Sequence, residues 1–210
     1  MKTLAIIQAR MGSTRLPGKV MMNFCGHPMI YWVIKGVSEA KKVDKVVVAT
    51  PTDLRNERLV EYVGSLGIDV FCGSENNVLD RYVQCTRKYN PENVVRITGD
   101  CPLINPIIID LVIEEHELCN TDYASNVFPK RTYPKGLDME VMTYETLYYL
   151  WSQSLTDYEE EHVTAYIHHH PEEFRIGNVQ FQKDVSHLQW SVDTQEDFDR
   201  VEEIFTCISN

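Results

Sequence analysis

The chain has 210 residues, 43% hydrophobic and 24% charged, which is the composition of an ordinary globular protein with room for one sizeable core. Its net charge of −11 repels nucleic acid and anionic membrane, so neither a polymeric nucleic acid nor a membrane is an expected partner. A small anion could bind such a chain only through a local group of cations or a metal.

The first 120 residues alternate between apolar runs and segments of helical spacing. "TLAIIQA" (3–9), "DKVVVAT" (44–50), "DVFCG" (69–73) and "NVVRITGD" (93–100) read as strands. Helices are predicted over roughly 28–40, 54–66, 77–89 and 106–118. Pro28 suits a first helical turn, Gly67 a helix stop, and Asn105 can cap a helix that Pro106 begins. Continuous apolar strands separated by helices predict an α/β fold with a doubly wound, mostly parallel sheet covered on both faces. Ligands of such sheets gather at the carboxyl ends of the strands. The loops after residues 9, 50, 73 and 99 are therefore the candidates.

The second half changes character. "NVFPKRTYPKG" (126–136) reads as a loop and "LDMEVMTY" (137–144) as a strand. Residues 145–151 and "YEEEHVTAYIHHH" (158–170) look helical, and Pro171 ends the latter. "IGNVQFQ" and "HLQWSVD" read as two more strands. "TQEDFDRVEEIFTCI" (194–208) is predicted as a closing amphipathic helix, with Thr194 as cap and apolar residues at 198, 201, 204, 205 and 208. With no internal repeat or linker, a single domain carrying an inserted excursion over about 126–182 is the simplest organisation.

The six cysteines, Cys25, Cys72, Cys85, Cys101, Cys119 and Cys207, form no C-x-x-C pair and fall in apolar segments. They are expected as buried free thiols in a reducing cytosol. The N-terminus reads as a first strand and not a leader, and no run approaches the roughly 18 apolar residues of a membrane span, so a cytoplasmic location is expected. Trp32, Trp151 and Trp190 are assigned to the core. The histidines of "HHH" (168–170) point about 100° apart on a helix, so they and His162 are not expected to share a metal.

The loop "ARMGSTRLPGKV" follows the first strand and carries Arg10, Arg15 and Lys19 with no acid among them. Arginine forks match phosphate oxygens in pairs and lysine adds a point charge. Gly12 and Gly18 permit close backbone approach. The loop is nevertheless not a Walker loop: five residues separate its glycines, and Val20 stands where a magnesium-binding hydroxyl belongs. The dinucleotide fingerprint is absent too.

"IIQARMGSTRLPGKVM" resembles the signature of the sugar-activating cytidylyltransferases of the Kdo and acylneuraminate type, with the spore coat polysaccharide (SpsF) branch most similar. "FCGSENNVLDRY" (71–82), "RITGDCPLI" (96–104), "KGLDMEV" (135–141), "EEEHVTAYIHHHPEEFRI" (159–176) and "WSVDTQEDFDRV" (190–201) extend the resemblance in matching order. It implies a Rossmann-like nucleotidyltransferase that joins CTP to a sugar hydroxyl, gives a CMP-sugar and pyrophosphate, uses Mg2+, and forms a homodimer in many members. The sugar is expected to be acidic.

The resemblance implies that Arg10, Arg15 and Lys19 grip the triphosphate and support catalysis. It implies a nucleotide site of Ala9, Arg10, Gly12, Ser13, Arg15, Lys19, Gly73, Ser74 and Asp100, with Gly73 and Ser74 beside the base. Asp100 and Asp193 match the metal carboxylates of the family, although Asp193 could instead serve the start of the last helix. Arg81 is a candidate for the sugar side. Asp138 and Glu140 lie two apart, so on a strand they share a face; there they are expected to accept from sugar hydroxyls or to join the outer shell of a metal, a solvated strand face being the alternative. Two alternatives stay open on sequence: a glycosyltransferase that consumes a nucleotide-sugar, and a non-catalytic nucleotide-binding module. The first usually carries a D-x-D motif at a strand end, which is not found here.

Overall fold

The computed structural model describes residues 1–209. The chain runs β1 (Thr3–Gln8), the short hairpin β2 (Asn23–Phe24) and β3 (His27–Pro28), α1 (Met29–Ser38), β4 (Lys45–Pro51), α2 (Glu57–Ser65), β5 (Asp69–Gly73), α3 (Val78–Tyr89) and β6 (Asn93–Thr98). It continues through α4 (Pro106–Cys119), β7 (Tyr123–Ser125), β8 (Glu140–Thr143), α5 (Tyr144–Trp151), α6 (Asp157–Glu161), α7 (Ala165–His169), β9 (Ile176–Asn178) and α8 (Gln195–Ser209).

Seven strands form one sheet in the order β5-β4-β1-β6-β8-β7-β9. β5, β4, β1 and β6 are parallel, and β8 runs antiparallel to both β6 and β7. β1 is apolar from Leu4 to Ile7 because both of its faces are covered. Ala5 and Ile7 pack with α1, α2, α4 and α8, whereas Leu4 and Ile6 pack with α3, α5 and α7. The fold is thus the predicted doubly wound α/β sheet between two helical layers. Residues 126–182 contribute β8 and β9 to that same sheet.

Local signals explain the helix ends. Asn105 Oδ1 accepts from the Ile107 amide while Pro106 opens α4, and Gly67 (φ +75) terminates α2. Thr194 and Asp197 cap α8 reciprocally: Thr194 Oγ1 accepts from the Asp197 amide, and Asp197 Oδ2 accepts from the Thr194 amide and hydroxyl. Phe198 and Val201 are buried, but Ile208 is 67% exposed because the helix outruns the surface it packs on.

Three predicted elements differ. "HLQWSVD" is not a strand; it follows residue 135 through a single bridge, Lys135 to Gln189. The predicted helix over 158–170 is broken at His162, whose backbone leaves helical geometry (φ −103, ψ 70), and restarts as α7. The strand predicted over 137–144 begins only at Glu140, because an ion pair between Arg131 and Asp138 holds the preceding turn. The thiols are all free, as expected, but Cys72, Cys119 and Cys207 are exposed. Among the described residues no helix is long and apolar enough to cross a membrane.

Candidate active site

β1 and β6 end side by side at the carboxyl edge of the sheet. A cleft of about 290 Å3 opens there, lined by Ala9, Arg10, Ser13, Arg15, Lys19, Arg81, Asp100, Glu161, His162 and Asp193 among others. The size is near the lower limit of small-molecule sites, ~300 Å3.

The loop after β1 is closed at its base. The Gly18 amide donates to the Met11 carbonyl (2.9 Å) and the Met11 amide donates to Asn56 Oδ1 (2.9 Å). Gly18 takes a left-handed conformation (φ +71), which turns the chain into a short helical turn over Lys19–Met21. Val20 and Met21 are buried in the core, so the backbone beneath Lys19 is anchored and its side chain reaches inward.

Asn56 is itself buried and also donates to the Pro51 carbonyl. Asn56→Ala strands the partly buried Met11 amide and the buried Pro51 carbonyl, at a cost of about 1–3 kcal/mol, and releases the base of the loop. Its expected effect is about tenfold weaker binding of CTP, the nucleotide that the family resemblance implies, by titration calorimetry. Unchanged affinity would show that the loop needs no such tie.

Asp100 enters from β6. Gly99 allows it: a Cβ there would stand 2.9 Å from the Ala9 Cβ and 3.0 Å from the Gln8 carbonyl oxygen, so only glycine lets the two strand ends approach this closely. The Val192 amide donates to the Asp100 carbonyl (2.9 Å), which brings the segment before α8 alongside. Because Thr194 and Asp197 cap the helix, the Asp193 carboxylate is free to face the cleft.

Three elements then meet on one ammonium. Lys19 Nζ donates to Asp100 Oδ2 (3.1 Å), Asp193 Oδ1 (3.1 Å) and the Val192 carbonyl (2.6 Å). Arg15 Nη2 lies 2.9 Å from the same Asp193 oxygen. Burial pushes the Asp100 carboxyl up, but the Lys19 charge and hydrogen bonds from Thr98, Lys19 and Cys101 outweigh it and hold it below its ordinary value. Arg10 is only loosely paired, 3.7 Å from Glu161.

Arg81 is 3% exposed. Its Nη1 donates to the Ser74 carbonyl (2.6 Å) and its Nε has no partner. No carboxylate among the described residues lies within ion-pair distance of it. Burial and the nearby Arg10 lower its pKa. A buried guanidinium without a counterion is costly alone and suits a site that receives an anion or a polar base.

Other predicted residues lie elsewhere. Gly12, Gly73, Ser74 and Asp138 do not line the cleft, although Arg81 connects it to the Ser74 loop. Asp138 accepts both Arg131 donors, at 2.6 and 2.8 Å. Glu140 corrects the expectation of a sugar-facing acid: it is 4% exposed and ion-paired with Arg96, its partner across β6 and β8. Period two placed its face, but that face is core.

Glu161 and His162 line the cleft and were missed. They stand at the break between α6 and α7, which a continuous helical pattern conceals. The capping box of Thr156 and Glu159 was the available signal that a separate helix starts at Asp157; its end at Glu161 leaves no such mark.

A sequence profile of the family described as cytidylyltransferase matches residues 4–210. The spore coat polysaccharide biosynthesis protein SpsF of Bacillus subtilis is 32% identical over 209 residues, 96% of this chain and 85% of that protein. A cytidylyltransferase structure from Leptospira borgpetersenii superposes with a TM-score of 0.92 at 34% identity, covering 100% of this chain and 87% of that one. CMP:2-keto-3-deoxy-manno-octonic acid synthetase, solved in complex with CTP, shares the fold at a TM-score of 0.78 and 18% identity, over 99% of this chain and 100% of that one. A cation-lined cleft at the carboxyl edge of a parallel sheet and a profile match over nearly every residue agree: the chain belongs to the cytidylyltransferase family and is a nucleotidyltransferase.

Proposed function

We propose that the protein is a magnesium-dependent enzyme that transfers CMP from CTP to a hydroxyl of an acidic sugar, for surface polysaccharide synthesis. The observation that carries this reading is the shared grip of Asp100 and Asp193 on the Lys19 ammonium, beneath Arg10 and Arg15. Two hard oxygen donors turned toward one positive centre are a donor set that magnesium accepts. Asp100 and Asp193 would hold the ion. When bound, it would neutralise triphosphate charge and make the α-phosphorus more electrophilic.

The protein's own groups do the rest. Arg10, Arg15 and Lys19 hold the β- and γ-phosphates, so charge building on the departing pyrophosphate is already neutralised. Arg81, a sugar-side candidate by sequence, donates instead to the Ser74 carbonyl, so it bounds the base side together with the Ser74 loop. Glu161 and His162 face the acceptor, where a carboxylate and an imidazole hydrogen-bond its neutral hydroxyls, and Arg10, 3.7 Å from Glu161, offsets the carboxylate's charge. The sugar hydroxyl attacks the α-phosphorus and releases its proton to solvent water, the bond to the β-phosphate oxygen breaks, and pyrophosphate leaves with that electron pair. The sugar and the polysaccharide context are supported by what the similar SpsF and octonic acid synthetase are named for.

A thermal-shift screen of the four nucleoside triphosphates with magnesium tests the nucleotide. At a hundredfold excess over Kd, CTP should add about 2.7 kcal/mol, roughly 5–10 °C for a chain of this length. Pyrophosphate release from CTP with a panel of acidic sugars tests the reaction. Stabilisation by another triphosphate in preference to CTP, or nucleoside diphosphate release from a sugar nucleotide, overturns the reading.

A further inference from the structure

Glu140 does not touch the cleft, yet its carboxylate gathers groups from three other elements. One oxygen takes the Arg96 guanidinium of β6. The other accepts from the Tyr123 hydroxyl of β7 (2.6 Å) and from Thr164 Oγ1 at the start of α7 (2.8 Å), and His168 Nε2 lies 3.9 Å away. His168 also meets the Tyr123 hydroxyl (3.2 Å) and stacks on Phe128. A buried ion pair is expensive to desolvate, and two packed apolar side chains would join the strands equally well. What an apolar pair lacks is the second oxygen, and that oxygen is spent on β7 and the α7 segment.

That segment carries the acceptor-side wall of the cleft. Thr164 comes two residues after His162, and the Ala165 amide holds the His162 carbonyl (2.6 Å). The other polar ties of α6 and α7 are largely internal to them: Thr156 with Glu159, and Glu159 with His169. Attachment to the body falls to the packing of α6 on α3, to buried Val163, Ala165 and Ile167, and to the groups around Glu140, which are the polar ties of α7 to the sheet.

We infer that Glu140 is a positioning residue for nucleotidyl transfer: through Thr164 and His168 it fixes the segment that presents Glu161 and His162 to the cleft. The inference rests on the reading of the cleft given above, so its test includes a measurement that needs no turnover. Thr164→Val deletes the hydroxyl and leaves the Arg96–Glu140–Tyr123 group intact; Thr164→Ser restores it; Glu140→Gln weakens the hub itself.

Amide exchange on the ligand-free chain should show at least tenfold faster exchange over 157–169 in Thr164→Val and Glu140→Gln, with the β1 and β4 amides unchanged and Thr164→Ser like the wild type. With CTP, magnesium and the best acceptor of the acidic-sugar panel, kcat should fall at least tenfold while the CTP Kd stays within threefold. Wild-type protection over 157–169 in Thr164→Val overturns the inference, as does a loss of protection spread evenly over the sheet. If the wild type turns over no sugar, the functional reading fails, and the exchange pattern still decides whether Glu140 fixes the wall.

Discussion

Asp100→Asn is expected to lower pyrophosphate release from CTP about a thousandfold while the protein stays folded. Loss of a metal carboxylate removes several kcal/mol of charge stabilisation in the transition state, and about 4 kcal/mol is a factor of a thousand. The fold should tolerate the change because Lys19 retains Asp193 and the Val192 carbonyl. The Val192 amide still finds the residue-100 carbonyl, since that contact is made by backbone. Turnover near the wild-type rate, in a variant with an unshifted melting temperature, would remove Asp100 from the metal site.

Lys19→Met is the second large effect, and it has two signs. Pyrophosphate release should fall at least a hundredfold, because the proposed reading assigns Lys19 to neutralising phosphate charge and that charge is lost. Binding of Mn2+ to the nucleotide-free protein should instead tighten at least tenfold. In the native chain the ammonium already occupies the space between the carboxylates of Asp100 and Asp193, so a divalent ion must displace it. Methionine removes the competitor and leaves two carboxylates that repel each other until a cation arrives. Titration of the Mn2+ resonance signal reads this directly. Weaker Mn2+ binding in the variant would mean that Lys19 helps to build the cation site and does not compete for it.

The strands β1, β4 and β6 and the helices between them were legible because covered parallel strands are apolar through their middles, as residues 4–7 and 46–49 are, and because Pro28 before α1 and Gly67 after α2 punctuate the helices. The convergence of Arg10, Arg15, Lys19, Asp100 and Asp193 was legible for a different reason: each follows a strand end or faces one across the same edge of the sheet, and the family resemblance selected among them. What was not legible depends on partners distant in sequence. Glu140 alternates as a surface acid would, and nothing local reveals Arg96 44 positions earlier. "HLQWSVD" has the composition of a strand but finds no ladder to join beyond one bridge. Glu161 and His162 reach the cleft because the helical run breaks between them and Thr164, and a break without glycine or proline leaves little trace in a periodic pattern.

The C-terminal helix also binds the early part of the chain. Phe24 meets Phe198 and Phe205 edge-on, and the Cys25 amide donates to Glu202 (2.8 Å). Residues 19–25 are thus held by residues 192–205, with Lys19 bound to the carbonyl of Val192. The clasp joins segments 173 and 177 positions apart. A substitution that loosens α8 at Phe198 or Phe205 therefore also unseats the backbone beneath Lys19, so damage remote from the cleft is felt inside it.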